Sequence, residues 1–192
     1  MFDLVFSFLP WITFSSVNRF ATFTGAAALA LVVGLVVLAR AKRRGSVHLL
    51  DIVSISYFAL VLAAIGIFQP ADLDTWSKYM QTGSYSALTL ITFGSILVRR
   101  PFTLSYAKEG VPEEFWTTDL FLKINNQISA RWGAAFAVGA VSTAIAANTD
   151  AFPFILMAVP YVALYLAYRY TQKASSSDDD ASTDAAPVAL AD

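Results

Sequence analysis

The sequence contains no cysteine and a single histidine, His48. A disulfide framework and a thiolate metal site are therefore both excluded. Phosphate-binding loops, nucleophile elbows, zinc-ligand spacings and dinucleotide fingerprints are also missing. Basic residues are not interleaved with aromatics in the manner of a nucleic-acid surface. We therefore predict a non-enzymatic protein with no cofactor, no catalytic or metal-binding residue and no nucleic-acid partner.

Charge is scarce. Only 14% of the residues are charged and 57% are apolar, and the mean hydropathy is +0.58. Residues 21–39 contain no ionisable side chain at all. A helix that is apolar all round needs lipid or a large core around it, and a chain of 192 residues is too short to supply such a core. The sequence predicts an all-α, polytopic membrane helix bundle surrounded by a phospholipid bilayer.

The long apolar runs have the length that a transmembrane helix requires, which is about 20 residues. They predict an integral membrane domain over residues 1–171 with five spans, at residues 21–39, 49–68, 79–98, 129–147 and 152–168. Residues 172–192 are rich in Ser, Asp and Ala and poor in large apolar side chains. This composition predicts a disordered acidic tail.

Residues 2–17 are apolar, but the segment is short and Pro10 lies in its middle. Proline removes a helix hydrogen bond and clashes with the preceding turn. We expect a short, proline-broken helix that lies in the interface or re-enters it, with a sixth span as the alternative. The segment has no basic residue ahead of its apolar stretch, so it is a poor signal peptide and is expected to remain.

Orientation follows from lysine and arginine, which are retained on the cytoplasmic side of a membrane. Placing the C-terminus inside puts eleven of the thirteen basic residues in the cytoplasm and leaves only Arg19 and Lys78 outside. The sequence therefore predicts a multi-pass membrane protein with a cytoplasmic C-terminus. With five spans the N-terminus is outside, and with six it is inside.

Residues 99–128 form the predicted cytoplasmic loop, the one long polar segment between two apolar halves. A helix start is expected at Thr117 or Thr118, with span four continuing from it. The loop and the start of that helix supply a candidate surface for a partner or for lipid headgroups, made of Arg99, Arg100, Lys108, Glu113, Glu114, Trp116, Lys123 and Arg131. The alternatives are that the basic side chains hold anionic headgroups and fix topology, or that the surface docks a protein.

His48 and Asp51 form a candidate polar pair on one face of the second span. The pair could relay a proton. The alternative is an interfacial histidine, with Asp51 directed to water or paired with Arg43 or Arg44. No ionisable residue lies deep in a predicted span, which argues against an ion-coupled transporter.

Other polar and small residues suggest helix packing. Asn125, Asn126 and Gln127 are expected to hydrogen-bond across helices. Small residues four apart allow close helix approach or self-association, at Ala30/Gly34, Gly83/Ala87 and Ala135/Gly139.

Several short motifs resemble the bacterial intracellular septation protein A family, also called inner-membrane-spanning proteins. They are Phe8-Leu9-Pro10, residues 74–78 (DTWSK), Arg100-Pro101-Phe102, and Val111-Pro112 with Trp116. The likeness extends loosely over residues 2–170, although Trp116 and Asn125 lie further apart than the corresponding residues of the family. The resemblance implies a non-enzymatic inner-membrane protein of cell-envelope upkeep or division that acts through other membrane proteins.

The first functional hypothesis is therefore a scaffold for membrane and cytoplasmic protein partners. The alternative is a small permease or channel subunit for an uncharged or lipidic solute. In that case polar residues of the third span would line the path, namely Gln81, Ser84, Ser86, Thr89 and Thr92. An enzyme that acts on lipid is a third possibility and would need His48, Glu113 or Glu114.

Overall fold

A computed structural model of the chain describes residues 2–18, 20–149 and 153–184. All regular structure in these residues is helical, which confirms the predicted all-α class. The helices are α1 (Phe2–Val17), α2 (Phe23–Arg44), α3 (Leu49–Phe68), α4 (Leu73–Leu97), the short α5 (Leu104–Ala107), α6 (Asp119–Asn148) and α7 (Pro153–Asp184). One 3-10 turn, Glu113–Phe115, lies between α5 and α6.

Four helices are long and apolar enough to cross a membrane: α2, α3, α6 and residues Phe154–Ala174 of α7. This agrees with a membrane protein, but it is one span fewer than the five we predicted. The difference is α4, which has 25 residues but carries Gln81, Thr82 and Ser84 in its first half. Its length fits a span and its composition is more polar than that of the other four.

Local sequence explains where α2 and α6 begin and end. The Thr22 hydroxyl accepts a hydrogen bond from the Gly25 N–H at the start of α2, and Gly45 ends that helix with φ +76°. Thr118 caps α6 in the same way through the Phe121 N–H. The predicted helix start at Thr117 or Thr118 is thus confirmed, and α6 continues from it as one helix of 30 residues.

The structure corrects the prediction of a broken N-terminal helix, because α1 is continuous through Pro10. The Pro10 ring is fully buried and packs on Gly34 of α2, where a Cβ atom would lie 3.6 Å from its Cγ. A Cβ at this position would meet the Pro10 ring at an ordinary contact distance, and its tightest neighbour would be Ile55 of α3, with Cγ1 at 3.2 Å. α1 then lies along α2 and α3 for its whole length instead of lying apart from the bundle.

Contacts along α1 fix the directions of the first three helices. Ser7 meets Asp51, Trp11 meets Ser54 and Phe14 meets Phe58, so α1 and α3 are parallel. α2 is antiparallel to both, since Asp3 pairs with Arg44 at its end and Phe14 contacts Phe23 at its start. The first half of the chain is a three-helix group.

The second half is another three-helix group, in which α6 lies against α4 and α7. α6 is antiparallel to α4, as shown by the contacts of Thr143 with Thr82 and of Gly139 with Tyr85. It is also antiparallel to α7, because the Ser142 hydroxyl donates to the Leu156 carbonyl and the Trp132 indole donates to Thr171. The two groups meet where the Tyr57 hydroxyl donates to the Met80 carbonyl and accepts from Ser84.

Two of the three predicted small-residue pairs lie in tight helix contacts. Ala30 and Gly34 are buried in α2, and Ala135 and Gly139 are buried in α6. Gly83 and Ala87 of α4 are half-buried.

Part of the predicted tail lies in α7. α7 continues as a helix through residues 172–184, which we predicted to be disordered. Residues 185–192 lie outside the described residues.

Candidate functional site

A buried polar cluster lies at the end of the bundle where α2 stops and α3 begins. It combines Ser7 of α1, His48 and Asp51 at the start of α3, and Ser105, Tyr106 and Glu109 of the segment after α4. Arg44, Lys42 and Arg43 are in the last turn of α2 beside it. We call this the basic-end cluster.

Asp51 is held by two hydrogen bonds although it is only 2% exposed. Its Oδ1 accepts from the Ser7 hydroxyl at 2.6 Å, and its Oδ2 accepts from the His48 backbone N–H at 3.0 Å. The second bond caps α3, because it satisfies a donor that the helix leaves free. The carboxylate therefore ties α1 to the start of α3.

The structure corrects our expectation that Asp51 points to water or pairs with Arg43 or Arg44. Arg44 instead pairs with Asp3 of α1, with 3.1 Å between Nη1 and Oδ1. Asp51 binds the His48 backbone, and among the described contacts its carboxylate makes no bond to the His48 ring. The two side chains are neighbours, but they do not form a direct proton relay.

The His48 ring is 4% exposed and is enclosed by the segment after α4. It stacks on Tyr106, with ring centroids 3.9 Å apart. Nδ1 lies 3.1 Å from the Ser105 hydroxyl, and Nε2 lies 3.1 Å from Oε1 of Glu109. The Nε2–Oε1 contact is an ion pair when the ring is protonated, although its angles do not make a hydrogen bond. His48 thus connects the two helix groups at the basic end.

Tyr106 is buried between His48 and Ser7. The Ser7 hydroxyl is already shared between Asp51 and the Asp3 carbonyl, and the Tyr106 hydroxyl has no hydrogen-bond partner among the described residues. Burial raises the pKa of the Tyr106 phenol well above its ordinary value of 10.0. Tyr106 therefore stays neutral and serves as an aromatic wall of the cluster.

A second polar contact fixes the same segment to α6. The Thr103 side chain bonds the Asn125 carbonyl at 3.1 Å and lies 2.8 Å from the Ser129 hydroxyl. Asn125 is 2% exposed and donates to the Phe121 carbonyl. The Asn125 side chain also accepts from Thr103 through its Oδ1 at 3.3 Å, and Gln127 accepts from the Tyr170 hydroxyl of α7. Asn126, for which we predicted the same role, has an amide oxygen without a hydrogen-bond partner among the described residues. Thr103 was not among our predicted residues, since a lone threonine in a polar loop carries no pattern.

The eight residues of the predicted surface are exposed or half-buried at the basic end. The structure brings together Lys108 and Trp116, with the lysine Nζ 4.8 Å from the indole centroid. The Trp116 indole also donates to the Val111 carbonyl at 2.8 Å. Glu113 and Glu114 are exposed beside them. Arg131 packs over the Tyr170 ring, with Cζ 3.6 Å from the ring centroid. Arg99, Arg100 and Lys123 are exposed.

The described residues contain no group of three or more His, Cys, Asp or Glu side chains that could hold a metal ion. Glu109, which we had not predicted as a site residue, is the carboxylate nearest the His48 ring.

A cavity of about 410 Å3 lies between α1 and the second helix group. Its walls are mainly aromatic and include Phe8, Trp11, Phe14, Tyr85, Trp132, Phe136, Tyr161 and Tyr165. Of the five polar α4 residues predicted to line a path, Gln81 and Ser84 line this cavity, whereas Ser86, Thr89 and Thr92 do not. A neighbouring cavity of about 310 Å3 shares Gln81 and Tyr85 and extends to Lys78.

Comparison of the chain with protein-family models, with curated proteins and with solved structures found no match.

Proposed function

We propose that this protein is a multi-pass protein of the bacterial inner membrane with six crossing helices and both termini in the cytoplasm. The four apolar helices support the membrane location. α4 joins them because it pairs with α6 along its length, and α1 joins them because it is parallel to α3. The basic turn at Lys42, Arg43 and Arg44 lies at the same end as Arg99 and Arg100, which supports that end as cytoplasmic.

At its cytoplasmic face the protein would act as a non-enzymatic scaffold for membrane and cytoplasmic partners. The observation that carries this proposal is the ordered 3-10 turn Glu113–Phe115, which presents two carboxylates and a phenylalanine that is 43% exposed. The Trp116 ring packs against the Lys108 ammonium and its indole N–H donates to the Val111 carbonyl, and these contacts hold the turn in place. Aromatic residues are enriched at protein interfaces, and the two carboxylates give the turn a negative charge that complements a basic partner. A role in envelope upkeep or division rests on the family resemblance alone.

Site-specific photocrosslinking tests the scaffold. A photoreactive amino acid at Phe115 should give protein adducts in living cells, while one at Leu90, which is 74% exposed on α4, should give lipid adducts only. Replacing Glu113 and Glu114 with glutamine should reduce the adduct yield from position 115. Lipid adducts alone from position 115 would count against the scaffold.

The cavity between α1 and the second helix group favours a second candidate, a small permease for an uncharged or lipidic solute. Its volume of about 410 Å3 lies in the range of ligand pockets, roughly 300–1,000 Å3. A flux assay in liposomes separates the two candidates. A permease should move a lipidic or uncharged solute faster than empty vesicles do, whereas a scaffold should not.

A further inference from the structure

The two neighbouring cavities share part of their lining, and we call them together the cleft. Both are lined by Ser15, Gln81, Tyr85 and Tyr161, so they adjoin along α1 and α4. The larger cavity extends toward Trp132, and the smaller one toward Lys78 and Asn18. Lys78 lies in the first half of α4, near the end of α6, and this end is opposite to the basic-end cluster.

The chemistry of the cleft changes along its length. The inner part is walled by aromatic rings, including those of Phe8, Trp11 and Phe136, and some of its few polar groups bond within the protein. Ser84, for example, already bonds Tyr57 and the Met80 carbonyl. The outer part adds the side chains of Asn18, Ser77, Gln81 and Lys78. An apolar compartment that ends at polar groups and a cation matches the chemistry of an amphiphile, in which a hydrocarbon chain ends in a polar headgroup.

Lys78 is suited to bind an anionic group. It is exposed at the mouth, and no carboxylate among the described side chains forms an ion pair with it. It also lies at the end of the bundle opposite to most of the basic residues, so the retention of basic residues on the cytoplasmic side does not account for its charge. A lysine ammonium forms strong charge-assisted hydrogen bonds with carboxylate or phosphate.

We propose that the cleft binds a single-chain anionic amphiphile from the outer leaflet, with its hydrocarbon chain among the aromatic rings and its headgroup at Lys78. The volume of the inner cavity is that of a drug-sized molecule, which fits one chain better than a two-chain phospholipid. The inference shares its cavity with the permease candidate but requires binding only, without transport. Binding without flux would therefore refute the permease and leave this proposal intact.

Tryptophan quenching tests the proposal directly, because Trp11 and Trp132 line the cavity while Trp76 and Trp116 do not. The full chain carrying Trp76→Phe and Trp116→Phe is purified in detergent and titrated with brominated stearate. Bromine quenches indole fluorescence only at short range. We expect saturable quenching with a defined apparent Kd.

Two variants test the cleft and its headgroup site. Ser15→Phe should fill the junction of the cavities and abolish saturable quenching, whereas Ser56→Phe, the same change at an exposed position of α3, should leave it unchanged. Lys78→Gln should weaken binding by roughly ten-fold, and Lys78→Arg should retain it. The brominated methyl ester, which lacks the anionic group, should bind as weakly to the parent as stearate binds to Lys78→Gln.

Quenching that never saturates, or that is equal in Ser15→Phe and Ser56→Phe, would show partition into the micelle and would overturn the site. Saturable binding that is equal for stearate and its methyl ester would overturn the anionic headgroup. Circular dichroism of each variant establishes that it is folded, and Ser15→Leu replaces Ser15→Phe if the larger side chain prevents folding.

Discussion

A carboxylate buried at the edge of a membrane domain is costly unless its oxygens are hydrogen-bonded. Asp51 meets this requirement with one partner from its own helix and one from α1, so the identity of the residue at position 7 matters as much as that of Asp51 itself. The same need for a hydrogen-bond donor is met by the backbone N–H of His48, rather than by its ring.

Ser7→Ala should destabilise the protein by about 1–3 kcal/mol, because it leaves a buried carboxylate oxygen without its partner. Ser56→Ala is the matched control. The Ser56 hydroxyl is exposed and bonds only the Ile52 carbonyl of its own helix, so a change within about 0.5 kcal/mol is expected. Thermal unfolding in detergent, followed by circular dichroism, measures both. Equal melting temperatures for the two variants would contradict the role of Ser7.

Tyr106 gives a pH-dependent prediction. Burial raises the pKa of its phenol in the folded protein above the ordinary value near 10, so the unfolded chain loses this proton first as pH rises. The contribution of Tyr106 to stability is therefore complete below pH 10 and decreases above it.

Tyr106→Phe should unfold at nearly the same temperature as the parent at pH 7, because the buried hydroxyl has no partner among the described residues. Between pH 9 and 11 it should lose less stability than the parent. Tyr79→Phe, at an exposed position, serves as the control and should keep the parental pH dependence. If the Tyr106 variant and the parent lose the same stability between pH 9 and 11, the raised pKa of Tyr106 is refuted as the cause of that loss.

At the scale of elements, α4 and α6 form the closest helix pair of the second group. At Gly139 a Cβ atom would lie 2.6 Å from the Tyr85 ring, which is closer than real Cβ contacts come. Glycine at this position leaves room for the Tyr85 ring against the backbone of α6.

Gly139→Ala should therefore destabilise the bundle by about 1–3 kcal/mol, since the ring or the helix must shift. Gly94→Ala in α4 is the control, because a Cβ at that position meets nothing within 4 Å. We expect it to be neutral or stabilising by up to about 1 kcal/mol, as alanine is the better helix former. Unfolding midpoints in a denaturing-detergent titration compare the two variants.

The elements also show what the sequence could and could not predict. Long apolar runs are a local signal, so residues 49–68 were predicted with the bounds that α3 has, and residues 129–147 lie within α6. The path of α1 depends on its packing against α2, where the Pro10 ring meets Gly34, 24 residues further along the chain, and the local proline rule could not include that contact. Pairings such as Trp11 with Ser54 likewise arise from packing and leave no pattern in either segment.

At the scale of the whole molecule, the threading can be tested without any background, because the chain has no cysteine. Thr75→Cys before the middle of α4 and a cysteine at Phe20, which is 93% exposed, should react with a membrane-impermeant maleimide in intact cells. Gly110→Cys and a cysteine placed ahead of Met1 should react only after permeabilisation. Labelling of the N-terminal cysteine in intact cells would rule out a crossing α1 and restore the five-span arrangement.

The parallel packing of α1 on α3 has a consequence for biogenesis. The hydroxyl of Ser7 and the indole of Trp11 find their hydrogen-bond partners 44 and 43 residues later in the chain. While the ribosome is still making α2, these groups have no such partner, and the first helix, with only 16 residues, is short for a membrane span. We expect the amino-terminal helix to settle into place only once the third helix has left the translocon, so that the earliest segment synthesised is among the last to assemble.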